Sequence, residues 1–220
     1  MPRRWIVVAV LGCLLLGWWL SNPPSSLPAP ATVAAAVETT RADTSACPLP
    51  PRVEPGGPPL QSEVPSSMPP LKTEGATLQP LAGFSVDARV LGREDYRMGR
   101  EAEFSPTDLA LGWGRMTEDA VLAQLQISQG GRWYRYRWKH DPPIPPGEIV
   151  RSSANMHMVP ADDEVAAALR DVDAGDRVRI DGWLVQVNTP DGWRWRSSLT
   201  REDSGGGACE VVYVCAVSQL

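Results

Sequence analysis

Histidine occurs only twice in this chain of 220 residues, phenylalanine only twice, and no two of the four cysteines form a C-x-x-C pair. A structural zinc site, which wants four closely spaced Cys or His ligands, is therefore not expected, and neither is any cofactor. The Gly-X-Y period of collagen and the cysteine density of a disulfide miniprotein are also missing. A single apolar run excludes a polytopic membrane protein. Basic excess is lacking too. With 21 basic against 26 acidic side chains and a net charge of −5, a general nucleic-acid binder is not expected, because its electrostatic footprint is positive.

The apolar run extends from Trp5 to Leu20, preceded by Arg3 and Arg4 and closed by Trp18 and Trp19 near its far end. As a helix rising about 1.5 Å per residue it spans roughly 24 Å, slightly under a ~30 Å hydrocarbon core. Basic residues lie only on its near side until Arg41. Residues 1–22 are therefore expected to be a single-pass signal-anchor, touching the bilayer through 5–20, with the remainder on the periplasmic side of a bacterial inner membrane. A cleaved signal peptide is the competing reading and would give a secreted protein. Its small-residue site, Ala29-Pro30-Ala31, stands well beyond Leu20 and carries proline. A lipidation box ending at Cys13 is less suitable, since Leu14 to Trp19 continues membrane-like sequence instead of a polar tether.

Fourteen of the 22 prolines fall between Ser21 and Pro80. Proline removes backbone donors and blocks helix, and no apolar period accompanies it, so residues 23–80 are expected to be a disordered or polyproline-II linker.

Residues 81–220 are long enough for one packed domain. Strands are expected over Phe84 to Leu91, Arg132 to Lys139, Arg177 to Val187, Trp193 to Leu199 and Cys209 to Val217, the last nearly all apolar or β-branched as suits a strand buried on both faces or closing a barrel. Ser105-Pro106 has the form of a helix start, leading a short helix through Leu111, and Thr117 is a candidate cap for a second. Asp162 opens a third helix, acidic at Asp163 and Glu164 and basic at Arg170, as the helix dipole prefers. Ser152 to Pro160 is uncharged apart from His157 and is expected to be a loop. The sum is a mainly β (α+β) domain with two or three short helices. Five strands with a helix before the last three, and the stretch Gly175-Asp176-Arg177-Val178-Arg179-Ile180-Asp181-Gly182, resemble a small, partly open barrel of the oligonucleotide/oligosaccharide-binding (OB) type. That resemblance concerns fold and carries no activity.

A second resemblance rests on longer blocks. Gly92 to Arg97, Ser105-Pro106-Thr107-Asp108-Leu109-Ala110-Leu111-Gly112-Trp113-Gly114, Ser153-Ala154-Asn155-Met156-His157 and Trp193 to Arg201 are similar to blocks in a group of bacterial hypothetical proteins with a hydrophobic N-terminus and no assigned activity. The similarity spans essentially the whole folded part and implies no substrate or mechanism.

Two sets of residues are candidates for function. His157 is the first. A hydrolytic reading makes it a base for Ser152 or Ser153, oriented by Asp162 or Asp163. The chain holds no strained G-x-S-x-G turn for a nucleophile, and the simpler expectation is a histidine that pins its own loop. The second set is aromatic and basic: Trp133, Arg135 and Arg137 on one strand, Arg194 and Arg196 on another. Such a face can stack a sugar and neutralise an anion. The plainer reading has the rings in the core and the arginines in solvent. The sequence thus leads to a tethered envelope domain that binds a protein, glycan or small ligand, with an envelope hydrolase as the alternative. Of the three cysteines beyond the apolar run, Cys47 has Cys209 or Cys215 as a possible partner, which leaves at least one thiol unpaired. Cys209 and Cys215, on one face of a straight strand, stand about 20 Å apart, out of each other's reach, and are expected to be small buried apolar groups.

Overall fold

The computed structural model describes residues 47–200 and 209–220. The expected anchor over 1–22 lies outside the described residues, and among those residues no helix is long and apolar enough to cross a membrane. The elements in chain order are β1 (Leu60–Ser62), β2 (Leu71–Thr73), β3 (Ala76–Asp95), α1 (Arg100–Phe104), β4 (Thr107–Gly112), α2 (Asp119–Leu122), β5 (Gln126–Gly130), β6 (Trp133–Arg137), α3 (Pro146–Arg151), β7 (Ser153–Pro160), α4 (Asp163–Arg170), β8 (Arg177–Asn188), β9 (Arg194–Arg196) and β10 (Glu210–Gln219). The protein is mainly β, with few and short helices.

Five strands pair in a ring-like sheet. β3 pairs with β4, β4 with β7, β7 with β10, β10 with β8, and β8 returns to β3. Only the β7–β10 contact is parallel. Each of the five strands contributes to one apolar cluster, including Phe84 and Val86, Leu109 and Leu111, Met156 and Met158, Ile180 and Leu184, and Val212 and Val214. Val165 and Leu169 of α4 pack against the same cluster. Residues from every strand meeting in one cluster place this core on the inner face of the ring.

β3 reaches both faces because it is bulged. Its register with β8 shifts between Pro80 and Ala82, which leaves Leu81 as an extra residue. Side chains alternate with period two, so a one-residue slip exchanges faces. Ala76 and Leu78, before the bulge, join a second cluster with Trp183, Val185, Val187, Val211 and Tyr213, whereas Ala82, Phe84 and Val86, after it, enter the inner core. A second slip, at Leu91, turns Arg93 toward the end of α4, where its guanidinium donates to the carbonyls of Leu169 and Val172. Cationic donors at a helix C-terminus satisfy carbonyls that the helix itself leaves open.

The proline-rich segment departs from expectation. The ordered body begins well before residue 81: β1, β2 and the start of β3 lie inside the expected 23–80 linker, and residues 47–59 strap across the ring. Cys47 forms a disulfide with Cys215. The Pro48 carbonyl accepts from the Trp183 indole at 2.7 Å, Val53 N–H donates to Ser85 Oγ at 2.9 Å, and Arg52 pairs with buried Asp181 at 3.1 Å. Tertiary partners therefore supply the hydrogen bonds that prolines deny a helix or sheet. Gly83 is required beneath the strap, since a Cβ there would lie 2.2 Å from Ser62 Oγ.

Three more expectations are corrected. The helix anticipated from Ser105 to Leu111 is strand β4, buried on both faces between β3 and β7, a context that overrides the Ser-Pro start signal. Ser152 to Pro160, anticipated as a loop, is mostly β7. Cys215 is no simple apolar packer: it sits at the register shift between Val214 and Ala216 and carries the bond to Cys47. Elsewhere the outcome follows the pattern. Asp162 Oδ1 caps α4 by accepting from Val165 N–H at 2.8 Å, and the rings of Tyr136 and Trp138 pack inward with Met116, Val121 and Ile149 while Arg135 and Arg137 face solvent.

Candidate functional site

Asp108 on β4 stands directly opposite His157 on β7 in antiparallel register. Both lie on the face away from the inner core, whose neighbours on these strands are Leu109, Met156 and Met158. Side chains opposite one another in an antiparallel pair are within contact distance, and here His157 Nδ1 lies 2.9 Å from Asp108 Oδ1. Asp108 is fully buried and His157 is 3% exposed. A carboxylate only accepts, so Nδ1 is the donor in this bond and Nε2 is left outside it.

The β5–β6 hairpin lowers its tip onto this pair. Gly131 and Arg132 form its two-residue turn with φ of 60° and 68°. Two left-handed residues define a type I′ turn, for which glycine or asparagine is favoured, and arginine is strained. The strain is held by contacts. Arg132 Nη1 donates to Asp108 Oδ1 at 2.6 Å, its guanidinium lies 3.9 Å from the Tyr96 ring centre, and its N–H donates to Tyr96 Oη at 2.8 Å. Burial raises the Tyr96 phenol above its ordinary value, against the opposing backbone hydrogen bond from Arg132, so it stays a neutral partner.

Asn155, two residues before His157 on the same strand face, completes the network. Its Nδ2 donates to Asp108 Oδ2 at 3.1 Å and to the Arg132 carbonyl at 3.2 Å. Gln129 Nε2 donates to Asn155 Oδ1 at 2.8 Å, and the bulge residue's neighbour Gly92 makes room for it, as a Cβ there would lie 2.7 Å from Gln129 Oε1. Asp108 therefore receives hydrogen bonds from three side chains, two on β7 and one in the hairpin turn. The buried hydrogen bonds around Asp108 fix the orientation of His157, although Gln129 Oε1 at the edge of the network has no partner among the described residues.

Above the network lies a cleft of about 190 Å³ lined by Arg132, Trp133, His157, Trp195, Arg196 and Cys209. The Trp195 ring centre is 4.8 Å from that of His157, and Trp133 is 37% exposed at the rim. Parallel pairing aligns Val211 of β10 with His157, and Cys209, the residue before that strand begins, lines the same cleft. Cys209 Sγ lies 3.9 Å from the Arg132 carbonyl and is outside the disulfide.

Of the residues singled out in the sequence, the cleft unites Trp133, Arg196 and His157. Arg135, Arg137 and Arg194 are exposed on the same two strands without lining it. The hydrolytic partners are corrected. Ser153 Oγ donates to the Ile149 carbonyl, Ser152 ends α3, and Asp162 is the α4 cap, so none of them orients or faces His157. Sequence reasoning missed Asp108, Arg132, Asn155 and Cys209 as site residues. Their one readable signal is alternation: Ser153, Asn155 and His157 are polar where Ala154, Met156 and Met158 are apolar, a strand pattern with a polar outer face. Among the described residues no three His, Cys, Asp or Glu side chains gather into a metal-binding group.

No protein-family model, curated protein or solved structure matches this chain.

Proposed function

We propose that the ring is an OB-type barrel serving as a binding module for a glycan that carries a carboxylate or phosphate. The strand order β3-β4-β7-β10-β8 and the placement of α4 between the third and fourth ring strands support the barrel assignment. In such barrels the second and third strands and the loops after the first and fourth form the binding face. Here those parts are β4 and β7, the Tyr96 loop and the β9 segment; His157 of β7 and Trp195 and Arg196 of β9 line the cleft, and Tyr96 holds the Arg132 guanidinium beside it. The observation that carries the reading is Arg132, kept in a strained left-handed turn over buried Asp108 and flanked by Trp133, Trp195 and Arg196. Backbone strain of this kind persists where surroundings over-determine it and gathers at ligand sites. Exposed rings take sugar faces, and arginine forks take carboxylate or phosphate.

The setting is a bacterial envelope, with the domain held at the membrane by the apolar segment at 5–20. The Cys47–Cys215 disulfide favours that setting, because such bonds persist outside the reducing cytosol.

The test is calorimetric titration with an acidic oligosaccharide, its neutral counterpart and an acidic peptide. Only the acidic sugar is expected to bind, and Trp195→Ala or Arg196→Ala should weaken it at least about tenfold, roughly 1.4 kcal/mol. Arg135→Ala should leave it unchanged. Equal binding of the neutral sugar, or preference for the peptide, would refute the ligand class.

A further inference from the structure

The geometry points to a second capacity in the same cleft: Cys209 is a nucleophile activated by His157, and the site takes small acyl donors such as esters. This shares the cleft with the binding reading but does not depend on which sugar, if any, occupies it. Two observations carry it together. His157 is nine-tenths buried, its Nδ1 is taken by Asp108, and its Nε2 meets no donor or acceptor among the described residues while the ring borders the cleft. Cys209, the residue just before the strand bonded to β7, lines that cleft with it. Base and thiol thus open into one small space, with a buried carboxylate behind the base. Those side chains can fill the three roles of a nucleophilic triad, whatever their order in the chain.

The reaction balances without an oxidant. Cys209 Sγ–H gives its proton to His157 Nε2 as the sulfur bonds the carbonyl carbon of the ester. The C–O bond to the leaving alkoxide breaks, and that oxygen takes the proton from His157, leaving a thioester and an alcohol. Water, losing a proton to His157, then adds to the thioester carbon. The C–S bond breaks, the sulfur is reprotonated by His157, and a carboxylic acid departs. Asp108 touches no reacting atom; it is a positioning residue, fixing the tautomer that leaves Nε2 free to accept. Arg132 and Arg196 line the cleft and favour a donor with negative charge.

The test uses the full chain in detergent with p-nitrophenyl acetate and iodoacetamide as probes, with peptide mapping to separate Cys209 from the other cysteines. Acetylation is expected on Cys209, to vanish in Cys209→Ser, and to slow about 100-fold or more in His157→Gln, the usual span of general-base assistance. Asp108→Asn should move the pH profile of Cys209 alkylation toward that of an ordinary thiol, near 8.5. The groups facing the thiol that bear on this profile are His157, Asp108, Arg132, Tyr96 and Arg196. Near-ultraviolet circular dichroism verifies folding, and half-buried Cys209→Ser serves as the fold-neutral variant. Acetylation of Cys209 at equal rates in wild type and His157→Gln, or no acetylation of Cys209 at all, overturns the proposal. Sugar binding by the wild-type chain without acetylation of Cys209 would overturn the chemistry and leave the binding reading intact, and acetylation without sugar binding would do the reverse, so the two fail separately.

Discussion

Removing the Cys47–Cys215 bond tests whether the proline-rich strap is part of the fold. The two residues are 168 positions apart, so the closed loop contains nearly the whole ordered body. Chain entropy for that loop, about 2.1 + 1.5R ln n in cal/mol/K, comes to roughly 17 cal/mol/K, or about 5 kcal/mol at 25 °C. This is a ceiling, because residual structure in the unfolded chain lowers it. The freed strap also loosens the hold of Pro48 on Trp183 and of Arg52 on Asp181, which adds to the loss. For a body of this size 1 kcal/mol moves Tm by about 2–4 °C, so Cys47→Ala with Cys215→Ala should lower Tm by roughly 10–15 °C. Differential scanning calorimetry with and without reductant measures it, and thiol titration in denaturant should find two of the four cysteines blocked. An unchanged Tm after reduction, or a bond mapped to Cys209, would refute the reasoning.

Three other outcomes follow from the same geometry. Burial pushes the Tyr134 phenol from 10.0 up to about 12, with its hydrogen bond to Ser153 opposing the rise. Because the folded value exceeds the unfolded one, this contribution is complete below pH 10 and is lost as pH rises through 12, a fall of about 3 kcal/mol that Tyr134→Phe should abolish in urea titrations. A persisting alkaline fall in the variant would show that another group causes it. Arg132→Gly relieves left-handed strain of about 1–2 kcal/mol but leaves Asp108 without its cation, a loss of about 3–5 kcal/mol, so the urea midpoint should drop and a rise would overturn the balance. Asp95 is lowered below 3.8: burial alone would raise it, but hydrogen bonds from Arg93 and Thr107 outweigh that. Its contribution is therefore full above about pH 4 and lost as pH falls through its folded value, and Thr107→Val should flatten the acid limb of a pH–stability curve.

Where local chemistry decides, the residues could be read in advance. Asp162 before an acid-first, base-last stretch gave α4, and the strict alternation of Tyr134, Tyr136 and Trp138 with arginines gave β6 and its two faces. Where partners distant in the chain decide, they could not. Ser105-Pro106 has the same form before a helix or a strand, and only burial between β3 and β7 makes it the entry to β4. The strap at 47–59 has no period of its own and is ordered by Trp183, Ser85 and Asp181, all distant in sequence. Five strands were expected, yet the ring uses β4 and β7 in place of β6 and β9. His157 stood out for its rarity, but its true partner is 49 residues away. Nothing local marks Asp108 as that partner.

The binding face is tested most directly by nuclear magnetic resonance of the indole N–H groups during titration with an acidic oligosaccharide. Trp195 and Trp133 border the cleft, whereas Trp138 packs beneath the hairpin and Trp183 under the strap. Saturable shifts confined to Trp195 and Trp133, lost in Arg196→Ala, are the predicted result. Shifts at Trp138 or Trp183 with the cleft indoles unmoved would contradict the assignment of this face.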